Sequence, residues 1–206
     1  MAFVVEKNGA KYLAKCGFNV SSVWAVRTEY RAYQLSCALG LDVVPYSWVE
    51  EFSEGTVFFQ RWIEGATDGA MLCEASFPLV LFDFLIFSID RSFTRNVIVG
   101  PDGKIYGIDN EISFLPTVGS WYKRNFRNSP GKSDFCNAVV ESQDSRLAEI
   151  FQLSFDGLTR TSYKELLQSF GVSGRANEEA VMRVTMLLRY GSFTVAWAKW
   201  KEYLRR

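Results

Sequence analysis

The chain has 206 residues, 48% hydrophobic and 16% aromatic, with 23 Lys and Arg against 23 Asp and Glu. That length and apolar content support a packed core, and the balanced charge offers no global field for nucleic acid or an anionic membrane. The chain contains no histidine, which excludes Ser-His-Asp and Cys-His catalysis and the HExxH metalloproteases and leaves carboxylate, lysine and metal chemistry.

Cys16, Cys37, Cys73 and Cys136 are widely spaced and form no CxxC or zinc-ligand pattern, so they are expected to be reduced core thiols. The amino-terminal segment MAFVVEKNGAKYLAK carries charges early and lacks a long apolar core, unlike a signal peptide. Phe77 to Ile89, the longest apolar run, is interrupted by Asp83 and Ser88 and is shorter than the ~20 residues that span a bilayer. A cytoplasmic protein is expected.

Along the chain, Phe3 to Cys16 reads as a hairpin turning at Asn8-Gly9, with Lys15 on its second strand. Val26, Tyr30, Tyr33 and Cys37 recur at helical spacing, predicting a helix over 22–39 capped by Ser21 or Ser22 and ended by Gly40. Asp42 to Pro45 and Thr56 to Ile63 read as strands. Residues 1–63 are thus expected to form a small β-rich lobe with one helix, and residues 64–206 a mainly helical lobe. In the latter, Pro78 opens a helix that runs to about Ile89. Val97 to Val99 and Lys104 to Ile108 form a hairpin across Pro101-Asp102-Gly103. Leu115 to Asp134, with Lys123, Arg124, Arg127 and Lys132, reads as a long basic loop. Helices follow over 135–155, 162–170 and 177–204, the last broken near Gly191. Its Phe193, Trp197, Trp200 and Leu204 fall at helical spacing and are expected to pack in the core.

The stretch from Asp83 to Phe114 carries the chemistry. The hairpin brings its ends together, so Asn96 and Asp109 are expected to be neighbours, with Asp90-Arg91 just upstream. Phosphoryl transfer requires mainly positioning and charge neutralisation, and Mg²⁺ takes oxygen ligands. Asn96 and Asp109 suit the metal, Asp90 a base or orienter at the acceptor hydroxyl, and Arg91 a group steadying the loop or a phosphate. Lys15 is the candidate cation for nucleotide phosphates, with Glu29 as its partner. The backbone of Gln60, Arg61, Trp62 and Ile63 is a candidate adenine contact. Asp83, inside an apolar helix, needs a partner, expected in the backbone near Asp90.

These pieces resemble the protein-kinase-like superfamily, and more closely its atypical branch of HipA-type serine/threonine kinases and phosphatidylinositol 3- and 4-kinases. The resemblance rests on AKC around Lys15, TEYRAYQLSCALGLDVVP from Thr28, FDFLIFSIDRSFTRNVIV from Phe82 and GKIYGIDNEISF from Gly103. It implies an α+β, two-lobe fold, a catalytic Asp90, a metal-binding Asp109, and ATP and Mg²⁺ as cofactors. A protein serine or threonine is the expected acceptor, and no nucleic acid or membrane is expected as a partner. The chain departs from the family pattern in three ways: Asn96 follows Asp90 by six residues where five is usual, Ser88 stands where Asn is common, and no glycine-rich loop precedes Lys15. Those departures suit a pseudokinase or regulatory subunit as the alternative, or a partner chain that completes the small lobe.

Overall fold

The structure, a computed structural model, describes residues 2–114 and 159–204; the expected basic loop over 115–134, the helix over 135–155 and Cys136 lie outside the described residues. Strands β1 (Ala2–Lys7) and β2 (Ala10–Gly17) meet at Asn8-Gly9, where φ is 56° and 74°, the positive pair that a tight hairpin turn needs. Helix α1 (Val20–Ala38) starts at Asn19, whose side chain accepts from Ser22 N while Ser22 Oγ accepts from Asn19 N. Ser22 is therefore the reciprocal partner in the cap and not the cap itself.

Strands β3 (Ser47–Phe52) and β4 (Gly55–Arg61) complete an antiparallel sheet of order β1-β2-β4-β3. Lys15 stands opposite Phe58, and Leu13 and Ser47 stand opposite Gln60, so these side chains share the face toward α1. On the other face Trp48 stacks on Phe59 at 4.8 Å and meets Tyr12 edge-on at 5.0 Å.

The expected strand over Asp42 to Pro45 does not form. Asp42 has φ 50°, which breaks extended geometry, and the segment instead passes the second sheet, where Gly107 N donates to Val43 O at 2.8 Å. Val43 and Val44 are apolar because they enter the core. The true strand, β3, lies at the sheet edge and carries Glu50 and Glu51, which mask it from a reading based on apolar runs.

The second sheet has the order β5-β6-β7: β5 (Thr67–Asp68), β6 (Val97–Val99) and β7 (Ile105–Gly107). A 3₁₀ turn (Glu74–Ser76) leads into α2 (Phe77–Ile86), where only Pro78 is not fully buried. A helix apolar on every side belongs in the middle of a core. It stops at Ile86, short of Ile89, because Phe87 turns left-handed at φ 55°.

Around α2 lie α3 (Arg160–Ser169), α4 (Gly174–Tyr190) and α5 (Phe193–Leu204). Phe84 meets Phe193 at 5.4 Å and Trp197 at 5.7 Å, and Phe87 meets Trp200 at 5.6 Å. The buried Arg183 lies over Trp200 at 4.8 Å and donates from Nη2 to Leu85 O at 2.9 Å. The aromatic stripe of α5 is therefore core. The expected core thiols are not: Cys37 and Cys73 are exposed and Cys16 is half-buried, all three free. Among the described residues no helix is long and apolar enough to cross a membrane.

Candidate functional site

The site is organised by one buried arginine. Arg91 and Asp83 both have fully buried side chains, and Arg91 Nε donates to Asp83 Oδ1 at 2.7 Å. Arg91 Nη1 donates to Asn96 O and, at 3.1 Å, to Ile108 O, while Nη2 donates to Asn110 Oδ1. A planar guanidinium presents five donors in fixed directions, and here they tie α2, the loop after it and the end of β7 together. Of the two roles open to Arg91, its burial supports steadying the loop. The Asp83 side chain, expected to find a partner near Asp90, accepts from the guanidinium of the next residue, Arg91.

Gly107 is shaped to this arrangement. A Cβ there would meet Leu79 Cδ1 at 2.7 Å and Arg91 Nη1 at 2.8 Å, below any normal carbon contact. Gly107→Ala is therefore expected to destabilise the fold by about 1–3 kcal/mol, the usual cost of overpacking, read as a lower urea midpoint at unchanged slope.

Lys15 reaches across from the first sheet. Its Nζ donates to Glu29 Oε1 and, at 2.6 Å, to Asp109 Oδ1. Glu29 is fully buried, and its Oε2 accepts from Asn110 N at 2.8 Å. Burial alone would push the Lys15 pKa down, but the two carboxylates outweigh it and hold the ammonium above its ordinary range. Burial pushes the Glu29 carboxyl up, and Lys15 and the Asn110 amide work against it.

The hairpin ends come together as expected: Ile108 N, next to Asp109, donates to Asn96 O at 3.0 Å. Ser92 and Arg95 exchange backbone hydrogen bonds at 3.2 Å, closing a turn that absorbs the six-residue step. Asn96 then reaches back, its Nδ2 donating to Asp90 Oδ2 at 2.9 Å and to Asp90 O at 3.2 Å. With the amide nitrogen so used, Asn96 Oδ1 is the end left as an oxygen ligand. Burial raises the Asp90 pKa, Arg91 opposes this, and the Asp109 charge adds to it. Asn96 and Asp109 both have positive φ, 61° and 56°.

Two residues here escaped the sequence reading. Glu111 brings a carboxylate oxygen within 4.8 Å of those of Glu29 and Asp109, and the DNE spacing was its only signal. Asn110 bonds both Arg91 and Glu29, which no local pattern foretells. For Mg²⁺ the fit is good: hard oxygen donors from Asp109, Asn96 and Glu111 are what that ion takes, while Glu29 is engaged by Lys15 and Asn110 N.

Beside this cluster runs a cleft of about 390 Å³, lined by Leu13 and Gln60 from the first sheet, Ile63 and Ala66 from the connection, and Ile98 and Ile108 from the second. That volume lies in the range of small-molecule sites. The expected adenine backbone is only partly available: Arg61 N donates to Tyr46 O at 2.8 Å and Trp62 N to Lys11 O at 3.0 Å. The Arg61 and Trp62 side chains are exposed. Ile63 is the next backbone donor along the wall.

Comparison with protein-family models finds no match, and no curated protein matches in sequence. Among solved structures, the chain is similar to the Helicobacter pylori proinflammatory kinase CtkA, with a TM-score of 0.52 at 11% identity, covering 98% of this chain and 94% of that one. The chain thus has a kinase-like α+β fold, with a small sheet lobe and a helical lobe on either side of the cleft.

Proposed function

We propose that the chain is an ATP- and Mg²⁺-dependent phosphotransferase of the HipA and phosphatidylinositol-kinase-like type, acting on a serine or threonine of a protein in the cytoplasm. The observation that carries this reading is Lys15, from one sheet, bonded at once to the buried Glu29 of α1 and to Asp109 after the second sheet. A cation bridging two lobes beside an apolar cleft is the arrangement that phosphate neutralisation asks for.

In this reading the base lies in the cleft, with Ile63 N–H as a backbone donor to its edge. Lys15, held by Glu29, meets the phosphates. Asp109 and Asn96 hold Mg²⁺, with Glu111 within reach. When bound, the ion neutralises charge on the phosphates and orients them. Asp90, fixed by the Asn96 amide, accepts the hydroxyl proton of the acceptor. Arg91 positions Asp90, Asn96 and Asn110 and touches no substrate.

The test is thermal stabilisation by Mg-ATP together with phosphate transfer to protein. A ligand at 100 times its Kd should stabilise the native state by about 2.7 kcal/mol. Asp90→Asn is expected to keep that shift and lose about 10²–10⁴-fold in transfer; Asp109→Asn is expected to lose the Mg²⁺-dependent part of both. Nucleotide binding with no transfer to any protein would assign the chain to the regulatory, non-transferring alternative. Absence of binding would rule out both nucleotide readings and leave a regulatory subunit that binds a protein partner.

A further inference from the structure

The cleft wall contains one polar side chain whose orientation is set by its neighbours. Gln60 is 4% exposed and lies among Leu13, Ile63, Ala66, Ile98 and Ile108. Its Nε2 donates to Ser47 Oγ at 3.4 Å. Ser47 Oγ in turn donates to Pro45 O at 2.7 Å. A serine hydroxyl has a single proton, and here the Pro45 carbonyl takes it. Toward Gln60 the Ser47 oxygen can only accept. Turning the amide over would set two oxygens against each other, so the nitrogen stays on Ser47 and Oε1 is the end presented to the cleft.

Among the described residues nothing donates to Oε1. Arg61 and Asp68 also line the cleft but are exposed; Gln60 Oε1 is the acceptor on its buried, largely apolar part, complementary to the amino edge of a flat ring.

We infer that Gln60 is the base-selecting residue of the cleft: its Oε1 accepts from the 6-amino group of adenine and turns away purines with a carbonyl at that position. This rests on the nucleotide-binding reading above, and concerns a side chain where that reading uses only backbone. A 6-oxo purine places an acceptor against Oε1, which leaves both oxygens unpaired and repelling. Sites built to pair with a substrate donor reject the analogue lacking it more strongly than apolar pockets reject a size change. Ser47 is a positioning residue: it touches no base, but without it the amide is free to turn and to donate.

The experiment measures Kd for Mg-ATP and Mg-ITP by calorimetry on the full chain, because the two nucleotides differ at purine position 6. Wild type is expected to favour ATP by at least ~10-fold. Gln60→Met, close in length and without an oxygen acceptor, should bring the ratio to within about threefold, chiefly by weakening ATP. Ser47→Ala should narrow the ratio by strengthening ITP, a change that mere loss of packing cannot produce. Thermal melts of the free variants confirm folding. Equal binding of ATP and ITP by wild type, or an unchanged ratio in folded Gln60→Met, would overturn the role of Gln60 while leaving nucleotide binding intact. If wild type binds neither nucleotide, the proposal falls together with the reading beneath it.

Discussion

Arg91→Ala is expected to remove about 3–5 kcal/mol of folding stability, the range for stranding one member of a buried ion pair. The partner left behind, Asp83, is fully buried on α2, and Asn96 O, Ile108 O and Asn110 Oδ1 lose donors at the same time. For a domain whose whole stability is of the order of 5–15 kcal/mol, that is enough to leave a large unfolded fraction at physiological temperature. Urea unfolding reads the loss directly. The double variant Arg91→Met with Asp83→Leu separates charge from architecture. If the cost is chiefly the uncompensated Asp83 carboxylate, the double variant recovers stability relative to Arg91→Ala. It is not expected to recover phosphate transfer, because Asn96 and Asn110 still lack their anchor. A double variant as unstable as the single one would show that the backbone carbonyls, not the carboxylate, dominate.

Lys15→Met is expected to lower phosphate transfer by about 10²–10³-fold, the scale of one preorganised electrostatic contact. It should also cost about 3 kcal/mol, because Glu29 stays buried without its cation. Lys15→Met combined with Glu29→Gln splits the two effects. The amide keeps an acceptor for Asn110 N and has no charge to bury, so stability should return while transfer stays low. The contrast is between a melting curve and a rate, measured on the same protein. Recovery of transfer in the double variant would remove Lys15 from the phosphate site.

Legibility followed the range of the interaction. Asn8-Gly9, the Asn19 and Ser22 cap, Gly40 and the break at Gly191 act over a few residues, and the structure bears out the elements they bound, save that Asn19 rather than serine caps α1. The hairpin over β6 and β7 was likewise local, and through it the approach of Asn96 to the segment carrying Asp109 could be expected. Edge strand β3 was missed because an edge tolerates Glu50 and Glu51, while Val43 and Val44 imitated a strand by being buried from an irregular segment. The bonds from Arg91 to Asn110 and from Glu29 to Asn110 N span 19 and 81 residues. No periodicity encodes partners that far apart. The burial of Glu29 had the same cause: its spacing on α1 put it at the edge of the apolar stripe, and only the packed sheet closes over it.

The positive φ angles of Asn96 and Asp109 bear on how this chain could change with descent. Asn and Asp enter the left-handed region more readily than other residues with a side chain. Backbone shape therefore asks for these two residue types independently of any ion. A lineage that abandoned phosphate transfer would still be held to Asn or Asp at 96 and 109 by folding alone. Its loss of function would first become visible at Asp90, where the backbone makes no such demand, and later at Lys15, whose loss leaves Glu29 buried without its cation.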